Sequence, residues 1–334
     1  MLAYIVRRLA SLALALAGIC ILTFVLSRVL PSDPARGAVG KAGAEQYEAM
    51  RERMGLDQPL PEQFWRYASG LARGDLGYSY ASRRSVAEDI GDYFPATFEL
   101  TIASLLLAVG VGTPLGVLSA ARRGGWLDRA AGWGALVSVA LPLFVIGLFF
   151  QVVFYKTLGW FPVAGRISPE LGAPARLTGM FTVDSLLHLD WPRLGSSLKH
   201  LVLPAVTLAL LPIAIISRLI RSSMLEALAK DYVRTARSKG ISEQRVIYRH
   251  ALRNALLPVV TSLGMLFGTL LGGAFLVEVV YTFPGLGLYV LDSILRAETA
   301  PIVSATLVVA TLYMLANLAV DIVYVFIDPR IRYS

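Results

Sequence analysis

A single cysteine, Cys20, stands among 334 residues, which excludes an intramolecular disulfide and any multi-cysteine metal site. Charge is scarce too: 16% of the residues are charged against 56% hydrophobic, a balance that a soluble core of this length does not need. Histidine is limited to His188, His200 and His250. They do not stand at i, i+4 spacing, and the absence of an H-E-x-x-H run excludes the usual zinc-protease ligand set. The phosphate cradle G-x-x-x-x-G-K-[ST] is missing, since Gly40-Lys41 is followed by Ala42, so this polypeptide alone is not expected to hydrolyse a nucleotide. Gly110, Gly112 and Gly116 fail the dinucleotide spacing G-x-G-x-x-G and lie in an apolar run. No catalytic residue, metal site or cofactor is therefore expected in the chain itself.

Long apolar runs are abundant, and the mean hydropathy is +0.62. A spanning helix needs about 20 mostly apolar residues. Six stretches qualify: Leu9–Leu30, Ala96–Ala120, Ala131–Tyr155, Leu201–Ile220, Leu257–Tyr281 and Ile302–Ile327. The expected fold is an all-α integral membrane protein with six transmembrane helices. The first run is too long for a cleavable signal, and no small-residue cleavage site follows it. Basic residues outnumber acidic ones by 31 to 23, for a net charge of +8. They gather beside apolar runs at Arg7 and Arg8, at Arg122, Arg123 and Arg129, between the fourth and fifth runs, and at Arg330 and Arg332. Alternating helices bring all of these to one side, which predicts that both termini are cytoplasmic. Membrane orientation explains the basic excess more simply than a nucleic-acid partner, and none is expected.

The pattern divides the chain into an N-terminus and first helix (1–30), an extracytoplasmic subdomain (31–95) and a five-helix core (96–334). The subdomain carries an amphipathic pattern around Ala44–Met54 and turn signals at Gly55, Pro59, Gly74 and Gly77. Within the core, an outer insertion (156–200) rich in Pro and Trp reads as an interfacial cap with little regular structure. Pro284-Gly285 demands a sharp turn directly after the fifth helix. Gly264, Gly268 and Gly272 fall on one face of that helix, where another backbone can approach closely. Static packing and a sliding or pore-lining face both fit that spacing; Gly112 and Gly116 repeat it more weakly. Glu99, Glu278 and Asp321 are ionisable residues inside apolar runs and so candidates for gating or solute contact. All three are expected near interfaces, within reach of water.

The segment 221–256 is the most informative part. Arg221, Lys230, Arg234, Arg237, Lys239, Arg245, Arg249 and Arg253 oppose only Glu226, Asp231 and Glu243, which predicts a cytoplasmic loop. It reads as two short helices and a turn. Ser222-Ser223 offers a cap for a run from Met224 to Arg237, Gly240 is placed to end it, and Ser242 caps a second run through Leu252. Tyr232, Val233 and Ala236 supply a partly apolar face. A helix lying on anionic lipid and a helix seated in a partner's groove both fit this amphipathicity.

The loop resembles the coupling loop of binding-protein-dependent ABC importer permeases, with Gly240 at the glycine position, Ala236 at the second alanine and Leu252 at the late leucine. The chain as a whole is similar to the dipeptide/oligopeptide branch of that family. The motifs that carry the likeness are Pro31-Ser32-Asp33-Pro34, Gly55-Leu56-Asp57-Gln58-Pro59, Gly74-Asp75-Leu76-Gly77, Arg221 to Glu226, Asp231 to Gly240, His250 to Thr261, Phe283 to Gly287 and Asp328 to Arg332. This resemblance implies a prokaryotic inner-membrane permease subunit. It would pair with a homologous second permease and with two ATPase subunits that bind ATP and Mg, and would receive peptide from an external binding protein. On this reading Glu226, Asp231, Tyr232, Arg234, Thr235, Ala236, Arg237, Lys239 and Gly240 contact the ATPase, with Ala236 permitting close approach. The same family serves oligopeptides, nickel chelates and glutathione, and a channel or secondary carrier is a remoter alternative.

Overall fold

A computed structural model of the chain describes residues 2–29, 35 and 43–327. The motifs at 31–34 and 328–332, with Arg330 and Arg332, lie outside the described residues. The regular structure of the described residues is helical except for one two-stranded antiparallel hairpin, in which β1 (Tyr78–Ser79) pairs with β2 (Arg84–Ser85). Four helices among the described residues are long and apolar enough to cross a membrane: α4 (Val86–Ala121), α8 (Trp191–Leu228), α10 (Leu257–Val280) and the Thr299–Ile322 part of α12 (Thr299–Ile327). In α1 (Leu2–Val29) the described apolar stretch is Ala10–Val25.

The third apolar run is not one straight span. It forms α5 (Trp126–Ala140) and α6 (Leu143–Phe150), the latter continued by a π-helical segment, Gln151–Thr157, and the pair is bent by 110°. The cause is local: a residue before proline is pushed out of the helical region, and Leu141, ahead of Pro142, is extended at φ −98° and ψ 134°. Elsewhere the helices outrun the expected spans. The fourth begins at Trp191, where Asp190 accepts the Arg193 N–H as an N-cap, and it runs without a break past Ser222-Ser223 to Leu228.

The chain falls into two compact units. The first comprises Met1–Ala96 with Pro284–Leu315. It holds α1, α2 (Ala44–Met54), α3 (Leu60–Ala72), the hairpin and α11 (Leu286–Leu295). Gly55 ends α2 in the left-handed conformation at φ +65°, the cap that glycine favours. Phe24 of α1 meets Phe64 of α3 edge-on at 5.4 Å, and the Thr23 and Tyr67 hydroxyls share a 3.0 Å hydrogen bond. The Glu298 carboxylate clasps the hairpin, accepting from the Ser79 hydroxyl at 2.8 Å and the Ala81 N–H at 2.7 Å. A small core of Val86, Ile90, Leu286 and Tyr289 lies beneath. The helix α11 is absent from the sequence reading, which placed only a turn there.

The second unit comprises Thr97–Phe283 with Ala316–Ser334, and α8 is its spine. Ala108, Val117 and Ala120 of α4, Ile216, Ile220 and Met224 of α8, and Val259 and Leu266 of α10 share one buried cluster. A Cβ on Gly112 would stand 3.0 Å from the Ile213 carbonyl oxygen, and one on Gly116 would stand 2.6 Å from that of Ser217. Glycine here lets two backbones meet, the small-residue packing expected of membrane helices. The glycine pair that looked weaker in sequence thus forms the tight crossing.

Candidate functional site

The basic segment is organised around α9 (Asp231–Ser238), which follows α8 after a break at Ala229-Lys230. Val233 and Ala236, three residues apart, share one face and are buried with Val246, against Leu228 and Ile241. Asp231, Tyr232, Arg234, Thr235 and Arg237 are exposed. Ala236 therefore does not offer the close-approach surface expected of it; its small side chain lets α9 settle on the underlying helical run, and the outer face is polar. Gly240 sits at φ +75°. Its N–H bonds the Arg237 carbonyl at 2.9 Å and the Ile241 N–H bonds that of Ala236 at 3.3 Å, the paired bonds of a Schellman cap.

Each of the segment's three acidic residues is paired within it. Arg237 grips Glu243 through two hydrogen bonds of 2.6 and 3.1 Å, and this guanidinium holds the Glu243 carboxyl below its ordinary value of 4.5. Lys230 meets Glu226 at 2.9 Å and Arg234 meets Asp231 at 3.5 Å. Asn254 donates to the Tyr232 hydroxyl at 3.0 Å. Lys239 is exposed at the helix end. The expected start at Ser222 does not occur, because the helix formers from Met224 onward extend α8 instead. Ser242 does stand at the N-cap of the following run, but its side chain makes no capping bond. That run is Glu243–Arg245, a π-helical Val246–Ala251 and Leu252–Ala255.

The glycine face of α10 splits. Gly264 is buried, and a Cβ there would collide with the Asn317 side chain at 2.4 Å. Gly268 is half-buried, and Gly272 is exposed with nothing within 4 Å of its Cβ position. The first glycine is a packing contact and the last an open surface.

Glu99 and Glu278 are not within reach of water as expected: they are 6% and 0% exposed. A carboxylate taken out of water needs donors, and each has them. The Thr97 hydroxyl donates to Glu278 at 2.5 Å. Glu99 accepts from Arg166 at 2.6 Å and from the N–H and hydroxyl of Thr182 at 2.7 and 2.5 Å. The Arg166 guanidinium stacks on Phe181 at 3.7 Å and donates to the Gly179 carbonyl. Beside it Asp184, at 1% exposed, collects the Thr178 N–H and hydroxyl and the Gly179 N–H. Burial alone would raise the Asp184 pKa, but these donors outweigh it and hold the carboxyl below its ordinary value. The insertion thus carries α7 (Phe181–Leu187), is braced by Asp184 from within and is tied to α4 through Glu99. Arg166 and Asp184 were missed from the sequence; the one available signal was that Glu99, in an apolar run, required a cationic partner. Asp321 is half-buried near the far end of α12, distant in sequence from both clusters.

Comparison with known proteins decides the family. Residues 112–333 match the model of the binding-protein-dependent transport system inner membrane component, and residues 1–101 match the N-terminal model of the same membrane components. The chain belongs to this family. The inner membrane component is 43% identical over 326 residues to the probable D,D-dipeptide transport system permease protein DdpB of Escherichia coli K12, covering 97% of this chain and 96% of that one. It is 41% identical to the dipeptide transport system permease protein DppB of Alkalihalophilus pseudofirmus, with both chains covered in full. Its fold is similar to that of the inward-facing MetNI methionine ABC transporter, with a TM-score of 0.51 at 17% identity over 70% of this chain and 93% of that one. The inner membrane component is accordingly a multi-pass inner-membrane protein, and the resemblance carried by its motifs is borne out.

Proposed function

We propose that the chain is one permease subunit of an ATP-driven ABC importer of dipeptides and other short peptides. The observation that carries this reading is the exposed, polar α9, braced from beneath and set on the end of a membrane-length helix, in a chain similar over its whole length to dipeptide permeases. Six helices cross the membrane with both termini cytoplasmic. Residues 31–95 form the extracytoplasmic subdomain and 156–200 an outer insertion, while 221–256 face the cytoplasm. A homologous second permease completes the solute path, and an external binding protein delivers the peptide.

Two ATPase subunits, binding ATP and Mg, hold the cytoplasmic loops. Glu226, Asp231, Tyr232, Arg234, Thr235, Arg237 and Lys239 present the contact surface, Gly240 sets its angle and Ala236 seats it. ATPase closure moves α9 as a lever and changes the access of the membrane helices. Gly268 and Gly272 face the path or the second permease, while Gly264 is committed to Asn317. Glu99 and Glu278 brace the protein from within, and Asp321 is the remaining gating candidate. Lipid surrounds the apolar faces, and no nucleic acid is involved.

Uptake of a labelled dipeptide by source cells with and without the gene, with nickel and glutathione uptake in parallel, tests the assignment. Selective loss of dipeptide uptake is expected. Loss of nickel or glutathione uptake alone would move the solute to that branch of the family, and no change in any of them would overturn the importer reading.

A further inference from the structure

The turn that joins α4 to α5 is Arg122-Arg123-Gly124-Gly125, with Gly124 at φ +77°. Asp128 lies in the first turn of α5, where a carboxylate is favoured by the helix N-terminus. It reaches back to accept the Gly124 N–H at 3.0 Å, so its position is fixed by the corner itself. From α8, Arg221 closes on it with two bonds, Nε to Oδ1 at 2.6 Å and Nη2 to Oδ2 at 2.8 Å. This fork-to-carboxylate geometry adds directionality to the attraction between the charges. The Asp128 side chain is only 10% exposed and that of Arg221 34%, unlike the open pairs further along the basic segment.

The two partners differ in how they are otherwise held. Arg221 lies seven residues before Leu228, the last residue of α8, hence about 10 Å from the end that bears α9. Helix α4 is already locked to α8 by the Gly112 and Gly116 contacts. Helix α5 also runs along α8, but Ala135 is its one fully buried residue, so few interlocked side chains fix it there. The ion pair supplies a rigid grip on α5 at its N-terminal corner.

We propose that Asp128 and Arg221 form a strut that transmits displacement of α9, through the end of α8, to α5 and the bent α5–α6 pair. Both are positioning residues. The inference rests on the importer reading above, in which α9 is driven by the ATPases. A spatially intermediate contact becomes a transmission element only if breaking it changes coupling between sites, which fixes the form of the test.

The complete importer, with its second permease, ATPases and binding protein, is reconstituted in vesicles as wild type, Asp128→Asn, Arg221→Lys and the double variant. ATP hydrolysis and uptake of labelled alanyl-alanine are measured on the same vesicles. With assembly intact, ATP hydrolysed per peptide imported should rise about tenfold in Asp128→Asn, the scale of a typical inter-site coupling. It should rise less in Arg221→Lys, which keeps the charge but loses the fork, and the double variant should be no worse than Asp128→Asn. An unchanged ratio in both single variants overturns the strut. Failure of both to assemble also overturns it, by showing that the pair holds the fold rather than passing motion. Absence of ATP-driven uptake in the wild type would instead remove the importer reading and the strut with it.

Discussion

Glu99 of α4 and Arg166 of the insertion, 67 positions apart, meet at 2.6 Å with side chains only 6% and 5% exposed. The pair ties a helix to a proline-rich segment that has little regular structure to hold it. Removing one partner of a buried pair strands the other charge, at a cost of about 3–5 kcal/mol, whereas replacing both with apolar side chains of similar volume is often neutral. Glu99→Ala should therefore lower the melting temperature of the purified protein markedly, and Glu99→Met with Arg166→Met should recover most of the loss. Equal damage from the single and double changes would mean that the hydrogen bonds to Thr182 and Gly179, not the ion pair, do the bracing.

Gly116 and Gly272 make opposite predictions. A methyl at Gly116 meets the Ser217 backbone, which cannot swing aside, so Gly116→Ala should cost about 1–3 kcal/mol, as overpacking does. Gly272 faces open space, and Gly272→Ala should be neutral or slightly stabilising in the isolated subunit, because alanine is the better helix former by roughly 1 kcal/mol. Thermal melts of the two variants side by side check this, and similar shifts would contradict the packing described.

Gly240 has room for a side chain but not the backbone for one. An L-residue in the left-handed region costs roughly 1–2 kcal/mol, and asparagine tolerates that region better than alanine. Gly240→Ala and Gly240→Asp should reduce co-purification of the ATPase subunits, with Gly240→Asn closer to wild type. Full assembly of all three would show that the cap does not set the docking angle.

The Arg237–Glu243 pair gives the turn after α9 a pH dependence. Because the folded-state pKa of Glu243 lies below its ordinary value of 4.5, the carboxylate favours the folded turn fully above that value. This contribution is lost as pH falls through the depressed pKa. Both side chains are about half exposed, so the effect is small, about 1 kcal/mol or less. Hydrogen exchange at Gly240 and Ile241, corrected for intrinsic rates, should accelerate below about pH 4.5 in the wild type. It should show no such step in Glu243→Gln.

Those aspects of the protein that depend on short stretches of chain were readable in the residues. Apolar length dictated membrane helices, because a buried backbone in lipid must bond to itself. The glycine at 240 dictated a helix end, and the order of motifs dictated the family. What lay beyond the sequence depended on which surfaces meet. Leu141-Pro142 breaks an apolar run that hydropathy reads as continuous, because proline acts through backbone sterics. The weaker glycine pair, Gly112 and Gly116, became the tight crossing because α8 chose that face, while Gly272 was left open. Ala236 turned inward because Val246 and Ile241 lay beneath it. Glu99 with Arg166, and Asp128 with Arg221, are pairs between residues far apart in the chain. Electrostatics requires each buried carboxylate to find a donor, but only the packing of the helices decided which one it found.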